Sequence, residues 1–100
     1  GDEDEAANSD AVRRTDGTWL VDGSMSLQRF RELFPDVSAF AGESSGDYRT
    51  LGGFVMAELG RIAAVADKAS HSGHQLEVID MDGRRIDKLL VTPPRDDTGV

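Results

Sequence analysis

The 100-residue chain has no cysteine. That removes disulfides, thiolate nucleophiles and cysteine-bound zinc from consideration, and it fits a reducing compartment. No apolar run approaches the roughly 18 residues that a membrane-crossing helix requires, so no direct membrane insertion of this stretch is expected. The opening residues are acidic, unlike the basic start of a secretory leader. A basic face is missing as well: residues 11–95 hold 12 acids against 11 bases. A body that close to neutral lacks the electrostatic footprint of a nucleic-acid binder. The net charge of −8 therefore belongs to the ends, with Asp2, Glu3, Asp4, Glu5 and Asp10 at one and Asp96 and Asp97 at the other. Such runs read as solvated linker. What remains, 38% hydrophobic and 30% charged, is ordinary for one soluble globular domain.

Catalytic signatures are absent too. There is no Gly-x-Gly-x-x-Gly, no Walker loop and no calcium-loop spacing of aspartates. Gly42-Glu43-Ser44-Ser45-Gly46 spells Gly-x-Ser-x-Gly, but it lies in a stretch that reads as loop, without the strand-to-helix turn of a nucleophile elbow. His71 and His74 are the only histidines. They flank a turn and could share a metal, but a closed site normally needs four ligands and no others are evident. An exposed hairpin end is the plainer reading, and no metal site is expected. Asp16, Asp22, Asp47 and Asp82 stand in turns, where aspartate usually bonds the local backbone. These residues point away from an enzyme.

The elements that are present can be read in order. Residues 1–14 are acidic and aperiodic and read as a linker. Residues 18–21 form a short apolar run with the only tryptophan, bounded by Asp16-Gly17 and Asp22-Gly23, and predict a strand. Ser26 is a good N-cap for a helix over 27–34, with Leu27, Phe30, Leu33 and Phe34 at helical spacing. Pro35 ends it. Residues 36–49 read as loop. Thr50 caps a second helix over 51–59, with Leu51, Phe54, Val55 and Leu59 on its apolar face and Gly60 as its left-handed stop.

A meander of three strands follows, and Pro93 and Pro94 close it. Ser72-Gly73 joins the first pair and Asp82-Gly83 the second. Asp-Gly is a strong signal for a two-residue hairpin loop. Centring that loop on Asp82-Gly83 sets Ile79 opposite Ile86 and Leu76 opposite Leu89. It also sets Asp80 opposite Arg85 and Glu77 opposite Lys88. The expected domain is 15–92, with 93–100 as a C-terminal tail. The expected fold class is α+β, with both helices on one face of a small antiparallel sheet.

Two features could bind something. Gly52 and Gly53 stand in the first turn of a helix at a cost of roughly 1 kcal/mol each relative to alanine. Either the helix packs too closely on a strand for a Cβ, or its N-terminus offers amides to an anion. Arg84 and Arg85 could contact phosphate, or could be salt-bridged to Asp80.

Four phrases carry a family resemblance: Trp19-Leu20-Val21-Asp22-Gly23-Ser24-Met25, Thr50-Leu51-Gly52-Gly53-Phe54, Leu59-Gly60-Arg61-Ile62 and Met81-Asp82-Gly83-Arg84-Arg85-Ile86-Asp87. In this order they resemble the CorC/HlyC transporter-associated domain, the C-terminal module of CBS-containing, hemolysin-like bacterial membrane proteins linked to magnesium and cobalt efflux. The resemblance implies a regulatory, non-catalytic domain on the cytoplasmic face of the inner membrane. Its implied partners are the CBS pair and the transmembrane domain of a parent chain, or its own copy as a homodimer; the fragment alone would be soluble. The family fold looks like a subdomain of FAD-binding (PCMH-type) oxidoreductase domains. That implies an alternative, a small-ligand module for FAD or an adenine nucleotide, for which Gly52, Gly53, Arg84 and Arg85 are the candidate residues. Family members typically carry an aromatic or apolar residue where this chain has Ser70-His71, so this edge is expected to be more polar.

Overall fold

The computed structural model describes residues 10–94. Five strands and two α-helices follow in the order β1 (Ala11–Arg13), β2 (Trp19–Asp22), α1 (Leu27–Leu33), α2 (Leu51–Leu59), β3 (Lys68–His71), β4 (His74–Asp82) and β5 (Arg85–Thr92). The strands make one sheet ordered β1-β2-β5-β4-β3, with every neighbouring pair antiparallel. The tails at 1–9 and 95–100, including most of the acidic run, lie outside the described residues.

Both helices start where their caps stand. The Ser26 hydroxyl accepts from Arg29 N–H at 3.0 Å, and the Thr50 hydroxyl accepts from Gly53 N–H at 3.1 Å. A pair of backbone bonds then ties the two starts together. Leu27 N–H donates to Arg49 O at 3.0 Å and Leu51 N–H donates to Met25 O at 2.9 Å, around the bridge Ser26↔Thr50. Orphan amides at both helix N-termini are thus satisfied inside the protein, as a buried helix end requires. Phe34, the residue before Pro35, leaves helical geometry at φ −127° and ψ 82°, which ends α1 one residue short of the expected 34. Gly60 closes α2 in the left-handed region at φ 71°.

The core lies between the helices and one sheet face. Phe30, Leu27, Leu51 and Val55 on the helices meet Val21, Leu76, Val78, Leu89 and Val91 on the strands, all fully buried. Side chains alternate across a strand, so those five strand residues share the inner face.

Two sequence expectations need correction. The first concerns residues 11–13, read as part of the linker. They form edge strand β1 on β2, with Ala11 opposite Val21 and buried in the core. Three residues are too few to show a period, so the pairing with β2 decides this strand. The second concerns the β4–β5 register. Asp82 is itself in the ladder opposite Arg85, and the two loop residues are Gly83 and Arg84. Met81 instead of Ile79 faces Ile86, Val78 instead of Leu76 faces Leu89, and Asp80 instead of Glu77 faces Lys88. Irregularities leave Ile79 on β4 and Asp87 on β5 without a ladder partner. They turn Ile79 outward, at 38% exposed, while Leu76, Val78, Leu89 and Val91 stay buried.

Candidate functional site

The bulge at Asp87 builds the site. Its carbonyl, released from the β4 ladder, accepts from Gly23 N–H at 2.9 Å as the chain leaves β2. The approach is so close that a Cβ on Gly23 would lie 2.0 Å from the Ile86 carbonyl oxygen. Only glycine fits there. Gly23 O in turn accepts from Gly52 N–H at 2.9 Å, and a Cβ on Gly52 would stand 3.0 Å from that oxygen. One glycine therefore seats β2 on β5 and a second seats α2 on β2.

Beside this three-way junction lies a cleft of about 440 Å³. Gly23, Ser24, Gly52 and Gly53 form one wall, Met56 and Ile86 give it an apolar side, and Asp82, Arg84, Arg85 and Asp87 complete it. The size is that of a small-ligand site. All four residues singled out from sequence, Gly52, Gly53, Arg84 and Arg85, line it together.

Their roles divide. The amides that an anion would need are already used: Gly52 N–H by Gly23 O and Gly53 N–H by the Thr50 hydroxyl. For the two glycines, packing is the reading that holds. The arginines are different. Arg84 and Arg85 are exposed at the hairpin end, and no carboxylate among the described residues stands within ion-pair distance of either. The expected bridge to Asp80 is not made; the register carries Asp80 to Lys88 instead. Asp22 hydrogen-bonds Lys88, and that carboxylate, helped by Asp87 and Asp80, holds the Lys88 ammonium above the ordinary lysine range.

Of the turn aspartates, Asp16 behaves as expected. Its carboxylate accepts from Thr18 N–H at 3.0 Å and from the Thr18 hydroxyl at 2.6 Å, bonds that hold it below the usual carboxylate range.

The histidines lie elsewhere, and the exposed-end reading of them is corrected. His71 and His74 are opposite each other as expected, but both face the core side of the sheet. His74 is 3% exposed and edge-packed on Phe30 and Phe34. His71 stacks on Phe40 at 4.0 Å and 15°, with its Nε2 on Ser38 O at 2.8 Å. A carbonyl can only accept, so this nitrogen carries the proton. The imidazole fills an aromatic slot here, so this strand end is not simply more polar. No group of three or more His, Asp or Glu side chains among the described residues is placed to hold a metal ion.

Residues 12–95 match the transporter associated domain family, CorC_HlyC. The chain belongs to this family. It is a transporter-associated domain family, not a family of enzymes. Among curated relatives, the UPF0053 protein sll0260 of Synechocystis is 39% identical over 98 residues, which is 98% of this chain and 22% of that protein. The polyamine export protein of Salmonella typhimurium is 41% identical over 81 residues, 81% of this chain and 17% of that one. The chain thus spans about a fifth of the length of the curated relatives it matches. Among solved structures, the CorC_HlyC domain of a Xylella fastidiosa hemolysin, in complex with Mg++ and Mn++, superposes with a TM-score of 0.74 at 32% identity, covering 86% of this chain and 99% of that domain. The fold is therefore that of CorC_HlyC domains: α+β, two helices on a five-stranded antiparallel sheet. No helix among the described residues is long and apolar enough to cross a membrane.

Proposed function

We propose that this chain is the regulatory and interaction domain of a larger CorC/HlyC-like membrane protein. It would lie on the cytoplasmic face of the bacterial inner membrane and modulate transport of divalent cations such as magnesium or cobalt. Its partners in this reading are the CBS pair and the transmembrane domain of the parent chain, or a second copy of itself. The observation that carries the reading is the family match across residues 12–95, within relatives about five times as long. The relatives named as polyamine exporters make organic cations the other cargo to assay. The test is deletion of residues 11–95 from the full-length protein, followed by efflux of magnesium, cobalt and putrescine from loaded cells. Altered efflux, or an altered response to nucleotide, is the expected result. Unchanged transport of all three would end this reading.

The cleft supports a second reading, a small-ligand module. Its 440 Å³ and its two arginines, which have no carboxylate partner among the described residues, suit the anionic part of FAD or of an adenine nucleotide. With Gly52 and Gly53 amides already bonded, Arg84 and Arg85 would hold such a group. Isothermal titration of the chain with FAD, ATP and magnesium in turn tests it. Micromolar binding that R84Q/R85Q abolishes supports a sensor; no heat with any of them leaves the protein–protein reading alone.

A further inference from the structure

The two faces of the sheet are unequal. The helices and the buried core lie on one of them. On the other, Val12, Leu20 and Leu90 stand in a single cross-strand row, with Val12 opposite Leu20 and Leu20 opposite Leu90. Strand alternation turns all three away from the inward Ala11, Val21, Leu89 and Val91. Ile79 joins them from β4, two residues along from Glu77, which is opposite Leu90. None of the four belongs to the core cluster or packs against it, and Val12 is 51% exposed. An apolar row bridging several strands on a helix-free face is a surface that a partner would cover.

The charges around the row say which partner. Asp22 and Lys88 sit beside it as a bonded pair on β2 and β5. Glu77 and Lys68 continue it across β4 and β3. A second copy can meet this face about a two-fold axis running across the strands or along them. An axis across the strands lays each strand on itself. That sets Glu77 on Glu77 and Lys68 on Lys68, and moves Asp22 and Lys88 off one another. An axis along the strands, between β2 and β5, lays β2 of each copy over β5 of the other. Leu20 then meets Leu90 of the second copy, and Leu90 meets its Leu20. Val12 meets the β4 strand beside Ile79. Asp22 meets Lys88 of the second copy, and Lys88 meets its Asp22. Opposed like charges destabilise such contacts, while opposite charges and apolar pairs support them. Asp80 falls over the start of the other β1, where Asp10 is held by Arg29, and adds no attraction.

We infer that the chain self-associates as a two-fold dimer through the helix-free face of its sheet, with β2 of each copy over β5 of the other. This rests on the reading in which the partner is a second copy, and gives that partner its surface. Four apolar side chains per copy make a small interface, so a dissociation constant of about 0.1 mM is expected.

The test is sedimentation equilibrium of the intact 100-residue chain from about 10 µM to about 1 mM, a range that brackets this constant. The average mass should climb from one chain toward two. L20S/L90S should weaken the dimer about tenfold or more, with an unchanged circular dichroism spectrum because neither side chain packs on the core. D22K and K88D chains should each dimerise about threefold more weakly alone. An equimolar mixture of the two should recover the parent constant, since opposite charges then face each other again; an axis across the strands gives no such rescue. Without any substitution, diluting the parent chain should move the amide NMR signals of Val12, Leu20, Ile79 and Leu90. Two results would overturn the inference. A chain that stays monomeric at about 1 mM removes the face and the second-copy partner together, and leaves regulation of transport to the efflux measurement. A dimer that ignores L20S/L90S, with its dilution shifts at Ile62 and Val65, would place the contact on that exposed apolar pair after α2 instead.

Discussion

The two hairpins that share β4 begin from similar dipeptides and end in different turns. Ser72-Gly73 joins β3 to β4 with both residues at positive φ, 53° and 80°, and His71 stands opposite His74. This is the type I′ pattern that a two-residue loop favours. Asp82-Gly83 invites the same geometry, but only Gly83 has positive φ, at 63°, and it is the first of the two loop residues, the pattern of a type II′ turn. Asp82 is drawn into the ladder and Arg84 takes its place at the tip. The difference lies in what each hairpin must fit. The β3–β4 pair is an edge of the sheet. The β5 strand pairs on both sides, and at Asp87 it must also receive Gly23. A turn dipeptide thus locates a hairpin, while the neighbours of its strands set the register.

Gly23→Ala strikes at that difference most strongly. Its Cβ would meet the Ile86 carbonyl at 2.0 Å, a backbone atom that cannot rotate away. A loss of about 3 kcal/mol in urea unfolding is expected. Hydrogen exchange should show the loss at the β5 bulge and the α2 start before it shows at the β3–β4 turn. A variant as stable as the parent would mean that Gly23 does not set the register.

Alanine at the two turn glycines separates the hairpins by a smaller margin. Gly83 has open space around it, so Gly83→Ala should cost only the backbone conformation that a type II′ turn imposes on its first residue, about 3 kcal/mol. Gly73→Ala takes the left-handed conformation instead, adds a contact with Pro94 Cβ at 3.3 Å and should cost about 2 kcal/mol. Equal costs by thermal or chemical denaturation would contradict the environments described here.

Acid should give the smallest separation. Asp67, next to the start of β3, is held below the ordinary aspartate value of 3.8 by the Arg61 guanidinium and by Ala64 N–H. A carboxyl whose pKa falls on folding contributes stability that is present above its unfolded value and is lost as pH drops through its folded value. Its carbonyl also accepts from Val78 N–H at 2.8 Å. The strand end near Val78 should therefore loosen as pH falls below 3.8, and Asp67→Asn should flatten that dependence in a pH series of urea midpoints.

Local chemistry made much of the fold legible. Ser26, Thr50, Pro35 and Gly60 mark their helix ends in the sequence because caps and stops act within one turn of chain. The Ser72-Gly73 turn is legible for the same reason. Strand β1 is not, because Ala11–Arg13 carry no period and owe their pairing to β2, which no local signal reports. Nor is the bulge at Ile79 and Asp87, which lies between β4 and β5 while the β2–β5 register runs on regularly to Gly23 and Asp87. Gly23 looks in sequence like strand-end chemistry, yet it is the tightest contact in the site; only the Asp-Gly context hinted at a special position. Arg84 and Arg85 were visible as candidates, but the absence of a carboxylate partner for either among the described residues depends on a register two residues away from the expected one. The histidine pair was placed correctly and judged wrongly. Adjacency across a turn can be counted along the chain, whereas the Phe40 ring that covers His71 arrives from a loop.

The bonds Leu27 N–H to Arg49 O and Leu51 N–H to Met25 O have one more consequence. Beyond β2 the chain passes Met25 and comes back to the same spot at Thr50, so the excursion between them is a closed detour. Its far end, residues 43–47, has no strand to keep in step. Insertions, deletions or a grafted recognition loop at that tip should leave both helix starts and the glycine junction where they are. A module of this kind can change what it greets without changing how it stands.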